Sequence, residues 1–351
     1  MSGWRGVLRK GWSSKSVRGA LIGAIVIGGL SAYALYSLLR RDAPGAYFGQ
    51  MLDRIGIGMF LAASLVYAGD LALAIVGWSL IVGTLGELWN WRQHFRIYCI
   101  TAITRPLPGT MWYMLGRIFM YERLRVPRSI TVIAGGLELA TTILGGLLVA
   151  VVTWPIALSG HEINPAWFVA GLLLGALLLN PSILRVLIRR VSPQSTPLDL
   201  RYRQLFGWML LYAVVWCGGG GILFVLATTI HPLPLTMLVT VIGIWSTSGL
   251  VSLLFSFVPF GLGVQELALS ALLAPYVGGG EAIVIALLMR GVLTINEAMW
   301  ALIAGLLGLT GLLGPSQDKQ TVNLESMDEI ILSDGKKSEE LYETASVIPP
   351  K

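Results

Sequence analysis

The chain reads as an all-α, polytopic integral membrane helix bundle of about seven to eight spans, with two broken or re-entrant helical hairpins. Three observations predict this. About eight runs of twenty or more nearly uncharged residues fill the chain up to Leu313, and a hydrocarbon core ~30 Å thick needs ~20 apolar residues per helix. Apolar residues make up 55% of the chain and charged residues 13%, about half the ~25% charged share of soluble domains; mean hydropathy is +0.74. A few ionisable residues nevertheless sit inside or against the apolar runs, where a charge costs at least ~2.5 kcal/mol.

Residues 1–18 carry Arg5, Arg9, Lys10, Lys15 and Arg18 and no acid, so they read as a basic cytoplasmic N-terminus. The uncharged run 19–39 follows. It is longer than a signal-peptide core and reads as an uncleaved first span. The membrane domain extends over 19–314, with further spans expected at 57–83, 129–157, 166–184, 205–230, 235–258 and 281–313. Two other apolar pieces, 94–115 and 259–277, carry breaks: Pro106, Pro108 and Gly109 in the first, Pro259, Gly261 and Gly263 in the second. Proline removes a backbone donor and glycine loosens a helix. Broken backbone at membrane depth is tolerated only where protein or a water-filled cavity covers it. These pieces therefore read as half-membrane hairpins lining a cavity, or else as kinked ordinary spans.

Charge orients the chain. Arg92 and Arg96 precede the first broken piece, and Arg117, Arg123, Arg125 and Arg128 follow it, so it enters and leaves on the cytoplasmic side. The basic loop with Arg185, Arg189, Arg190, Arg201 and Arg203 then lies inside, and 159–164 lies outside. The tail 315–351 holds eight acidic and four basic residues and reads as a disordered acidic tail.

Several chemistries find no support. Cys99 and Cys217 sit in apolar stretches, and His94, His161 and His231 lack ligand spacing, so neither a disulfide framework nor a metal site is expected. No cofactor is expected either. Outside the tail, basic residues exceed acidic ones, 21 to 11; that excess reads as loops facing anionic headgroups, with no nucleic-acid partner. The Gly218 to Gly221 run lacks the strand–loop–helix setting of a phosphate loop. Trp89, Trp91, Trp112, Tyr113, Trp154 and Trp167 read as an interfacial aromatic belt.

The candidate substrate-binding residues are the intramembrane charges Arg117, Glu138, Glu266, Arg290 and Glu297. Asp70, beside Gly69, reads as a structural hydrogen-bonding residue. Arg290, Thr294 and Glu297 fall on one helix face, with the two charges two turns apart, so each needs a partner elsewhere. Glu138 has Thr141 and Thr142 beside it. Glu266 follows the second break directly and suits the first turn of a new half-helix. Arginine offers a planar fork matched to phosphate.

These motifs resemble the family of lysylphosphatidylglycerol synthase transmembrane regions, over roughly 55–313. The run from Val258 to Glu266, Val-Pro-Phe-Gly-Leu-Gly-Val-Gln-Glu, looks like the family's Pro-x-Gly-x-Gly-x-x-Glu element, with Arg290 at the arginine of the following helix. Leu107-Pro108-Gly109 with Arg117 looks like its first Pro-Gly…Arg element; Glu138 stands at its glutamate and Trp78 at its span-end tryptophan. The stretch from Thr110 to Gly116 departs from the glycines and acid usual there. The resemblance covers the flippase-like membrane region and not the soluble synthase domain, so it implies a transporter more than an enzyme. It implies a polar-lipid flippase moving an anionic phospholipid or polyprenyl-linked lipid through a central polar cavity of a bacterial or archaeal cell membrane. Alternatively, the chain is the lipid-handling subunit or scaffold of a membrane glycosyltransferase or aminoacyl-lipid synthase. A lipid synthase or glycosyltransferase partner, or a second copy of the chain, fits either reading.

Overall fold

The computed structural model describes residues 56–85, 90–105, 111–157, 164–191, 200–255 and 263–309. All regular structure among them is helical. In chain order the helices are α1 (Ile57–Leu85), α2 (Trp91–Ala102), α3 (Met111–Glu122), α4 (Arg128–Ala157), α5 (Ala166–Leu178), α6 (Pro181–Val191), α7 (Tyr202–Ile230), α8 (Leu238–Phe255), α9 (Val264–Val277) and α10 (Gly279–Leu309). The basic N-terminus, the run 19–39, Pro108, Gly109, Pro259, Gly261 and the acidic tail lie outside the described residues.

Among the described residues, five segments are long and apolar enough to cross a membrane: α1, α4, α7, α10, and α8 with the short 3-10 turn before it. Their apolar runs contain no internal proline except Pro155 in the last turn of α4. Their outward faces keep large apolar residues exposed, among them Leu65, Val152, Val214, Leu254 and Leu302, as contact with lipid requires.

The expected span at 166–184 is not one helix. It divides at Leu179 and Asn180 into α5 and α6. The cause is local: the Asn180 side chain accepts a hydrogen bond from the Ser182 amide at 2.9 Å, and Pro181 takes the first helical position, which starts a new helix instead of continuing the old one. α5, at 13 residues, is ~20 Å long, short of the hydrocarbon thickness. α6 interleaves apolar residues with Arg185, Arg189 and Arg190, the pattern of an interfacial helix.

α2 and α3 are 12 residues each, or ~18 Å. They flank 106–110 and pack on one another. Asn90 caps α2 by accepting from the Arg92 amide at 3.2 Å. α9 starts after Gly263, whose φ of 88° only glycine adopts without strain, and packs against α8 and α10.

α7 is the axis of the bundle, packed against α1, α4, α8 and α10. In lipid there is no hydrophobic drive between helices, so close backbone approach carries the packing. A Cβ added at Gly145 of α4 would lie 2.7 Å from the Ala213 amide nitrogen of α7, and one at Gly220 of α7 would lie 2.6 Å from the Ile242 Cα of α8. Glycine is what lets these three helices touch.

Candidate functional site

Two charged assemblies sit beside one another in the interior. The first is closed. Arg117 of α3 is fully buried and forms a salt bridge with Glu138 of α4. Its guanidinium stacks on Trp78 of α1 at 4.2 Å, Tyr98 of α2 at 4.1 Å and Tyr113 of α3 at 5.2 Å from the ring centroids, placing the cation over three ring faces. Glu138 also accepts from the hydroxyls of Tyr98 at 3.1 Å and of Tyr212, on α7, at 3.3 Å. Below it the Trp78 indole donates to the Tyr121 hydroxyl at 2.7 Å, which is hydrogen-bonded to His94. Five helices thus converge on one ion pair.

The second assembly is open. A cavity of about 230 Å³ lies between α1, α4, α7, α8 and α10. Its charged lining is Asp70 of α1, Arg105 at the end of the turn after α2, and Glu297 of α10; its aromatic walls include Tyr67, Tyr212, Trp216 and Trp245. Arg105 and Glu297 stand 4.0 Å apart, with 34% of the arginine side chain exposed, a loose pair that a ligand can divide. Arg105 donates to the Tyr98 hydroxyl at 2.9 Å, and Tyr98 donates to Glu138. The closed ion pair therefore positions the cavity arginine through a single tyrosine.

A small cleft of about 20 Å³ lies behind Trp245 and Leu293, which also line the larger cavity. It holds Glu266 and Arg290, 3.7 Å apart. Glu266 is in the first turn of α9, where the helix dipole favours a carboxylate.

Of the expected site residues, Glu297 lines the main cavity, Glu266 and Arg290 share the cleft, and Arg117 and Glu138 line neither. The structure therefore does not bring Arg117 and Arg290 into one phosphate cradle. Arg117 spends its charge on Glu138 and three rings, behind a closed shell. Arg290 and Glu297 do find partners on other segments. One aromatic reading changes: Tyr113 turns inward onto Arg117. Trp78, in the last third of α1, is fully buried. Trp91 and Trp167 are exposed, as residues at a membrane interface would be. Asp70 has no hydrogen-bond or ion-pair partner among the described residues, so the structural hydrogen bond expected of it is not made.

Arg105 was the residue that sequence reasoning left out. As the residue before Pro106 it is held out of helix, and that frees this arginine to enter the cavity from the turn after α2. Among the described residues no group of three or more His, Cys, Asp or Glu side chains could hold a metal ion. The chain matches no protein-family model and no curated protein.

Proposed function

We propose that the chain is a polar-lipid transporter of the cytoplasmic membrane, which passes a headgroup through the cavity between α1, α7 and α10 while the lipid chains stay in the bilayer. The observation that carries this reading is a cavity lined by three charged side chains, Asp70, Arg105 and Glu297, in the midst of helices long enough to span. Charges at this depth are costly, and where they persist they mark a path or a site. Arg105 offers a planar, five-donor fork for a phosphate, and Glu297 releases it when a ligand phosphate arrives. Moving the headgroup through such a cavity keeps its charge out of hydrocarbon, where desolvation is prohibitive.

In this reading 94–115 and 259–277 are re-entrant hairpins. The shortness of α2, α3 and α9 supports this, as does the turn that delivers Arg105 to the cavity from the edge of the first break. The resemblance to lysylphosphatidylglycerol synthase transmembrane regions supports it too, since Glu266 and Arg290, matched by that resemblance, lie one Trp245 ring away from the cavity. The test is headgroup binding by purified protein in nanodiscs, titrated with short-chain phosphatidylglycerol, phosphatidylethanolamine and polyprenyl phosphate. At least one binds, and Arg105→Ala weakens it tenfold or more while Arg105→Lys, which keeps the charge but loses the fork, is intermediate. Equal binding by wild type and Arg105→Ala would reject the assignment.

A further inference from the structure

Among the described residues, the intramembrane charges do not balance. At helix depth the cations are Arg105, Arg117 and Arg290, and the carboxylates are Asp70, Glu138, Glu266 and Glu297. Three pairs account for six of the seven: Arg117 with Glu138, Arg105 with Glu297, Arg290 with Glu266. Arg96 does not supply the missing charge. It packs beside Gly308, eleven residues and about 16 Å along α10 from Glu297. Asp70 is the carboxylate left over, and it lines the cavity.

Its placement is specific. Asp70 is the fourteenth residue of the 29-residue α1, near mid-depth. Its carboxylate lies directly against the Gly218 backbone of α7, in the space a Cβ there would fill. Around it the cavity wall is aromatic, with Trp216 and Trp245 tilted against each other at 6.4 Å between centroids. The other titratable groups nearby are Tyr67 on its own helix, Tyr212 and Cys217 on α7, Arg105 beyond α2 and Glu297 on α10; α4 presents Thr142. None of these adds an uncommitted positive charge.

We infer that Asp70 is the binding site of one singly charged cation, taken up from outside the protein into the central cavity. A lone carboxylate with aromatic faces beside it suits such a charge. The same chemistry has two sources: an ammonium group, as on a headgroup, or a coupling ion, proton or sodium, that travels with the lipid. That second role rests on the transporter reading; the site itself does not.

The experiment uses the full chain in nanodiscs and three probes: choline, sodium, and protons followed as uptake after a rapid pH drop. Wild type takes up one of them at one per chain. Asp70→Asn loses that uptake by tenfold or more and folds as wild type does, because it removes the charge that has no partner. Gly218→Ala keeps the charge but pushes the carboxylate aside, so it weakens uptake even if Asp70→Asn fails to fold. Choline uptake assigns the headgroup source, and proton or sodium uptake the coupling ion. No uptake of any probe, or uptake unchanged in both variants, overturns the inference. Cation uptake without any lipid movement would refute the transporter reading alone.

Discussion

Glu138→Ala is the sharpest perturbation of the fold that holds the site. The glutamate is 8% exposed and its partner Arg117 is 1% exposed, so truncation leaves a buried guanidinium and the Tyr98 and Tyr212 hydroxyls without their acceptor. Breaking a buried pair from one side costs about 3–5 kcal/mol. The three rings stack on Arg117 in wild type and variant alike, so they hold the cation in place without offsetting the loss of its carboxylate. Glu138→Gln keeps the shape and an acceptor oxygen but loses the charge assistance, worth about half of each bond, so it should cost about half as much. Arg117→Met combined with Glu138→Leu removes both charges together, and such replacements are near neutral or stabilising. Reversible unfolding in mixed micelles measures all four. The expected order is wild type and double variant close together, Gln below them, Ala lowest. If Glu138→Ala unfolds within about 1 kcal/mol of wild type, or if the double variant is as unstable as Ala, the ion pair is not what closes the five-helix junction.

Other outcomes follow from the same geometry. Gly145→Ala forces α4 off the α7 backbone and should cost about 1–3 kcal/mol, whereas Gly221→Ala, whose nearest neighbour would be 3.9 Å away, should be neutral or slightly stabilising; the same micelle unfolding compares them. Arg290→Gln should shift the unfolding midpoint far less than Glu138→Ala, because 37% of that arginine side chain and 20% of its partner Glu266 are exposed, so screening discounts the pair. In a background with Cys99 and Cys217 replaced, His161→Cys should react with an impermeant thiol reagent in intact cells and Ser195→Cys only after the membrane is opened; the reverse pattern overturns the assigned orientation.

The five long helices were legible because continuous apolar runs of spanning length have few alternatives in water or lipid. The run 166–184 misled because hydropathy sums over Asn180 and Pro181 without registering that together they cap one helix and start another. Glu266 in a first turn was legible from the glycine before it. The pairing of Arg117 with Glu138 was not: 21 positions separate them, and nothing local states which of four carboxylates an arginine will meet. The same limit hid the surroundings of Asp70, whose depth was plain but whose cavity is completed by other helices. Arg105 could have been found by asking where an arginine goes when the following proline denies it a helix.

The central claim is that headgroups pass through the cavity, and filling it tests that most directly. Val215 lines the cavity without bearing charge or pairing with any site residue, so Val215→Trp occludes the space while every ion pair stays intact. Transbilayer movement is read in proteoliposomes as the fraction of headgroup-labelled lipid that becomes accessible to an impermeant quencher, for anionic, zwitterionic and polyprenyl-linked lipids in turn. The account predicts movement of at least one lipid by wild type, and its loss in folded Val215→Trp. Movement at the wild-type rate through the plugged protein, or no movement of any of these lipids by wild type, would contradict it.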